Sequence, residues 1–154
     1  MINSQLSIAI LIPCYNEEAG IADVINAFKK HIPTAIIYVY DNNSTDQTIT
    51  RAQNVGAVVR SESRQGKGNV VRRMFADIEA DLYIMIDGDG TYDASAAPAL
   101  VQQLLDNNLD MVIGTRKEES ETAHRAGQSI GNLTALCRPC PAKASVECGK
   151  MEGP

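Results

Sequence analysis

Asp87 and Asp89 stand one residue apart at the end of a short apolar run, within the stretch LYIMIDGDGTYD at residues 82–93. Leu82, Ile84, Met85 and Ile86 make that run read as a buried strand, so both carboxylates fall where the strand emerges. Two acids this close repel each other, and a cation relieves them. Their hard oxygens suit Mg²⁺ or Mn²⁺, ions usually held by one or two carboxylates together with substrate phosphates. The chemistry expected of the pair is capture of a divalent ion and a diphosphate. Gly88 and Gly90 leave room for a ligand and permit unusual backbone angles. Asp and Gly after a strand are also ordinary turn residues, so the pair takes its meaning from the rest of the chain.

The elements that must position these acids alternate in type. Apolar runs predict strands over 7–12 (SIAILI), 35–40 (AIIYVY), 57–60, 82–86 and 110–113. Between them, helical spacing of apolar residues predicts helices. The first covers 17–31, with Ile21, Val24, Ile25 and Phe28 on one face and Pro33 beyond its end. A short helix over 45–54 follows, with Ser44 as its N-cap. A third covers 68–80, with Val70, Val71, Met74, Phe75 and Ile78 on one face. The fourth covers 95–107, with Leu100, Val101, Leu104 and Leu105 inward. This order defines an α/β fold, a mostly parallel sheet with helices on both faces. Right-handed crossovers put the strands' C-terminal ends on one side, where ligands bind in open α/β sheets. The segments 13–17, 41–46 and 87–92 should therefore converge on one crevice. Past residue 114 comes a charged loop, RKEESE at 116–121, then an amphipathic piece over 123–136 expected to be helical. The Cys- and Pro-rich tail, 137–154, loses periodicity and is expected to be irregular.

At 154 residues one domain is expected, and 44% hydrophobic residues suffice for a core. With no Trp and two Phe that core is aliphatic. A net charge of −5 argues against nucleic-acid binding. No apolar run reaches the roughly 18 residues of a membrane span. The N-terminus has no basic region before its first strand, so no signal peptide is read and a cytoplasmic location is the default. Cys137, Cys140 and Cys148 lack the spacing of a zinc site and make a poor disulfide framework, while Cys14 stands apart.

Four segments together resemble one family. PCYNEE at 13–18, DNNSTD at 41–46, GKG at 66–68 and DGDGTYD at 87–93 are similar to the successive signatures of family-2 glycosyltransferases with the GT-A fold. The polyprenyl-phosphate sugar transferases, typified by dolichyl-phosphate mannosyltransferase, are the most similar subgroup. The likeness spans roughly residues 6–133. It implies a nucleotide-sugar-binding domain over 1–136, incomplete at its C-terminus, since the family's catalytic domain continues beyond. It places Pro13, Tyr15 and Glu17 around the donor's base and ribose, Asp41 on a base imide, and Lys67 on a phosphate or base edge. Asp87 then touches the ribose or the metal, and Asp89 is the direct ligand of Mg²⁺ or Mn²⁺ facing the diphosphate. Gly114-Thr-Arg116 resembles the segment that meets an acceptor phosphate, which a guanidinium fork suits; Arg125 is a second candidate. The segment at 66–68 lacks the spacing of a P-loop. Two positions depart from the family pattern: Asn42 stands where a second aspartate is common, and Thr91 where Gln is common.

The implied reaction is metal-dependent, inverting transfer of a hexose from a UDP- or GDP-sugar to a polyprenyl phosphate at a membrane surface, with Asp89 and Arg116 as catalytic residues. Such an acceptor is already an anion and needs positioning rather than a general base; a saccharide hydroxyl would need a carboxylate base. The likeness leaves three alternatives: transfer to such a hydroxyl, a non-catalytic nucleotide-sugar-binding remnant, and completion by a homo-oligomeric or membrane partner. A nucleotidylyltransferase is disfavoured, because residues 10–18 contain no glycine. The implied location is cytoplasmic, peripheral at the inner face of the membrane.

Overall fold

The structure, a computed structural model, describes residues 6–114 and 134–139. In chain order the elements are β1 (Ile8–Cys14), α1 (Ile21–His31), β2 (Ile36–Asp41), α2 (Thr48–Asn54), β3 (Val58–Ser61), α3 (Lys67–Asp77), β4 (Leu82–Met85), a 3₁₀ turn at Ala94–Ala96, α4 (Ala97–Asp106), β5 (Met111–Gly114) and β6 (Thr134–Cys137). They build a six-stranded sheet in the order β3-β2-β1-β4-β6-β5. β1 pairs in parallel with β2 and β4, and β2 with β3. Among the described strands β6 alone runs antiparallel, between β4 and β5. The expected mostly parallel sheet with helices on both faces is what forms.

β1 lies at the centre and all seven of its residues are buried. Alternation along it divides the core in two. Ile8, Ile10, Ile12 and Cys14 join Ile21, Ile25 and Phe28 of α1 and Val101 and Leu104 of α4. Ala9 and Leu11 face the other way, onto Val70 and Met74 of α3 and onto Tyr40 and Tyr83. Burial on both faces explains why β1 reads as an unbroken apolar run. Each helix buries one stripe, as its spacing predicts: Ile21, Val24, Ile25 and Phe28 in α1, Val101 and Leu104 in α4.

Three expectations need correction. Residues 134–136 were expected in a helix but form most of β6, with Cys137 as its last residue. Leu136 fills the slot between β4 and β5 and is fully buried; sheet pairing there outweighs local helical pattern. The first helix begins at Ile21 rather than Glu17. The N–H groups of Glu17 and Glu18 are taken instead by Thr48 Oγ1 and Asp46 Oδ2, at 2.9 and 3.1 Å. Ser44 does not cap α2: its hydroxyl accepts from Asn16 N at 2.9 Å, and Asp46 Oδ1 accepts from Thr48 N at 3.0 Å.

Candidate functional site

The loops after β1, β2 and β4 converge, joined by the N-terminal end of α3. Pro13, Cys14, Tyr15, Glu17, Asn42, Lys67, Val70, Asp87 and Asp89 line one cleft of about 260 Å³. Six of the expected site residues, Pro13, Tyr15, Glu17, Lys67, Asp87 and Asp89, are thus brought together. Asp41 lies next to the cleft-lining Asn42 without lining the cleft itself. Arg116 and Arg125 fall outside the described residues.

Backbone geometry sets the acids in place. Ile86 N donates to Leu11 O at 3.1 Å, which carries the β4 strand line up to Asp87. At Gly88 a Cβ would come within 2.9 Å of Cys14 Sγ and 3.4 Å of Glu17 Cβ. Gly88 therefore serves the close approach of the β1 and β4 loops rather than room for a ligand, which corrects the expectation at that residue. Gly90 does need its freedom, at φ +78°. Thr91 donates to Asp89 Oδ1 from both N and Oγ1, at 3.0 and 2.7 Å, and so orients that carboxylate.

Charge is concentrated and unevenly paired. Lys67, the first residue of α3, forms an ion pair with Asp87. Asp87 also accepts from the Tyr92 phenol at 3.4 Å. Burial holds Glu17 above the usual carboxylate range, and the carboxylates of Asp89 and Asp87 push it further. Burial and the same Asp87 push the Tyr92 phenol up to about 12. The Cys14 thiol is driven upward by burial and then by Glu17, so it stays protonated and is no nucleophile. Tyr15 lines the cleft and is 51% exposed.

Asn42 does more than stand in for a missing charge. It is buried, and its Nδ2 donates to the carbonyls of Glu62 and Arg64 at 2.8 and 2.9 Å. Its Oδ1 accepts from Gly66 N at 2.8 Å. Asn42 thus clamps the segment leading into Lys67, a task that takes an amide's donors as well as its acceptor. The departure from the aspartate pair was the visible signal. Asp41 is 2% exposed; its Oδ2 accepts from Ser44 N at 3.0 Å, and among the described residues no donor reaches Oδ1. A buried acceptor without a donor costs about 1–3 kcal/mol.

The donor set fits a divalent ion shared with a ligand. Glu17, Asp87 and Asp89 face one cleft with Lys67 as the cation among its lining residues. Among the described residues no group of three His, Cys, Asp or Glu could hold a metal unaided. Phosphate oxygens would have to complete the shell, the usual arrangement for Mg²⁺.

Comparison with known proteins places this geometry. The sequence profile of glycosyl transferase family 2 matches residues 9–144. The chain belongs to glycosyl transferase family 2. Protein RfbJ of Shigella flexneri is 59% identical over 117 residues, 76% of this chain and 91% of that protein. Glycosyltransferase AglJ of Haloferax volcanii is 41% identical over 111 residues, 71% of this chain and 36% of that one. Among solved structures, glucosyl-3-phosphoglycerate synthase from Mycobacterium tuberculosis, in complex with Mn²⁺, UDP and glucosyl-3-phosphoglycerate, matches with a TM-score of 0.62 at 30% identity. The match covers 70% of this chain and 43% of that one. The chain thus spans most of RfbJ but less than half of the other two. No helix among the described residues is long and apolar enough to cross a membrane.

Proposed function

We propose that this family-2 domain transfers a sugar, with inversion, from a nucleotide-diphosphate sugar to a polyprenyl phosphate, using Mg²⁺ or Mn²⁺. The observation that carries the reading is the single cleft in which Tyr15, Lys67, Asp87 and Asp89 meet at the strands' C-terminal ends. The synthase complex with Mn²⁺ and UDP supports the same pair of ligands here. A dolichol-phosphate mannosyltransferase of Pyrococcus furiosus, 25% identical over 118 residues, 72% of this chain and 33% of that one, supports the acceptor.

In this reading Tyr15 stacks on the base, and the orphan Oδ1 of Asp41 takes an imide N–H, which uracil and guanine both offer. Pro13 and Glu17 border the base and ribose. Asp89 and Asp87 would hold the ion, which when bound would supply neutralisation of charge on a diphosphate leaving group. Lys67 exchanges its bond to Asp87 for a phosphate. Arg116 and Arg125 grip the acceptor's phosphate, which needs no base because it is already an anion. This reading has the protein act in the cytoplasm, peripheral at the inner face of the membrane.

A thermal-shift screen of UDP, GDP and their sugars, with and without Mn²⁺, tests the donor half. A ligand at a hundred times its Kd adds about 2.7 kcal/mol to the folded state. The expected result is a rise in melting temperature that requires both nucleotide and metal. No rise with either nucleotide defeats the reading. Turnover with a short polyprenyl phosphate then tests transfer, and binding without turnover leaves a non-catalytic nucleotide-sugar-binding protein.

A further inference from the structure

A second concavity includes part of the segment that Asn42 clamps. Glu62, Ser63, Arg64, Asn69, Arg72 and Arg73 line a cleft of about 430 Å³, and none of these residues lines the first cleft. Asn69, Arg72 and Arg73 are three and four residues apart on α3, so they share one helix face. Arg64 approaches from the loop after β3, whose backbone is pinned at Glu62, Arg64 and Gly66 by Asn42. Three arginines therefore line one space beside a held backbone.

These cations are not explained by internal pairing. Among the described residues the ion pairs are Arg60–Asp77, Lys67–Asp87 and Arg73–Asp77, which leaves Arg64 and Arg72 without a carboxylate. Arg73 gives its Nε to Asp77 at 2.8 Å, only one of the five N–H donors a guanidinium carries. The lining acid, Glu62, accepts from the backbone N of Arg64 at 2.8 Å. Helix stability does not explain them either. A helix N-terminus favours acids, yet the first turn of α3 holds none and begins with Lys67. Residues 60–73 concentrate five of the chain's fourteen basic residues against a single acid, in a protein of net charge −5.

We propose that the cleft of Arg64, Arg72 and Arg73 is a second anion site, for a phosphate-class group, separate from the donor cleft. Guanidinium groups recognise phosphate oxygens in pairs, and the Asn69 amide and Ser63 hydroxyl add polar lining. The phosphate comes from a lipid headgroup or from a soluble phosphoryl compound. The inference does not depend on the transferase reading, because none of its residues lines the donor cleft.

Inorganic phosphate titrated into the full chain, followed by the Nε–H signals of the arginines, tests the site. Signals of Arg64, Arg72 and Arg73 should move together and saturate. In Arg64→Gln/Arg72→Gln the apparent affinity should fall at least tenfold, while the same change at Lys29 and Lys30 leaves it intact. The nucleotide-dependent melting shift should persist in both variants. Sedimentation with phosphatidylglycerol vesicles against pure phosphatidylcholine separates the sources. Capture by the anionic vesicles alone, lost in the arginine variant, assigns the headgroup; phosphate binding without capture assigns the soluble compound. If the titration spreads evenly over all basic residues, or the double variant binds phosphate and vesicles as well as wild type, the proposal is overturned.

Discussion

At the N-terminal ends of β1 and β4, Asp81 accepts from Ser7 N at 2.8 Å and from Ser7 Oγ at 2.6 Å, and these bonds hold its carboxyl below the usual range. At the C-terminal ends of the same strands, Glu17 is held above that range by burial and then by Asp89 and Asp87. Nearby, Asp41 keeps a buried oxygen with no donor among the described residues. One end of the sheet spends its acids on its own backbone and side chains. The other gathers acids that disfavour one another and that a cation and a ligand would satisfy. Strain at one end of an otherwise well-paired sheet is the mark of a site kept ready for a partner.

The largest test of that contrast is Asp89→Asn. Binding of UDP or GDP sugars with Mn²⁺ should weaken at least tenfold, a loss of about 1.4 kcal/mol or more. The ligand-free protein should melt no lower, and up to about 1–3 °C higher, because a repulsion has been removed. The Glu17 carboxyl, followed by NMR, should titrate closer to its ordinary value. Weaker binding together with a lower melting point would mean that Asp89 is an ordinary structural acid, and the contrast would fail.

Asn42→Asp should have the next largest effect. A carboxylate there faces the carbonyls of Glu62 and Arg64, which now receive the amide's two donors. Loss of the clamp frees the approach to Lys67, and nucleotide affinity should fall about threefold to tenfold, in line with 0.5–1.5 kcal/mol for a hydrogen bond. The loss should shrink as the pH drops and the new carboxyl becomes protonated, able to donate one bond. Calorimetry at two pH values reads both. An affinity loss independent of pH would point to general loosening instead.

How much of this was legible in the residues differs between core and site. β1, β2 and β4 announce themselves because both their faces are buried, and α1 and α4 because one stripe is. β6 does not: Thr134–Cys137 is short and antiparallel, and its place depends on a gap between β4 and β5 that no local pattern encodes. In the site, Asp87 and Asp89 are legible at a strand's exit, whereas Pro13 at the end of β1, Tyr15, Glu17 and Lys67 at the start of α3 take their roles from the family resemblance. Asn42 was seen only as a missing charge, because its partners lie about twenty residues away and are backbone atoms. Gly88 reads as room for a ligand, yet its neighbour is Cys14 at the end of β1, a contact between distant segments that spacing along one of them does not reveal.

The smallest effect belongs to the well-paired end. Asp81 has a folded-state pKa below its ordinary 3.8, so its bonds to Ser7 stabilise fully above that value and are lost as the pH falls through the lower one. Asp81→Asn should therefore lower the melting temperature slightly at neutral pH. The gap from wild type should stay constant while the pH is well above 3.8 and close as the pH falls through the lowered folded-state value, where the wild-type carboxyl is protonated too. Asp89→Asn should show the opposite sign at neutral pH, melting no lower than wild type. Melting curves of both variants across this range set the two ends of the sheet against each other directly. If both variants are destabilised at neutral pH, the acids at the cleft are as well satisfied as Asp81, and the case for a ligand waiting on them falls.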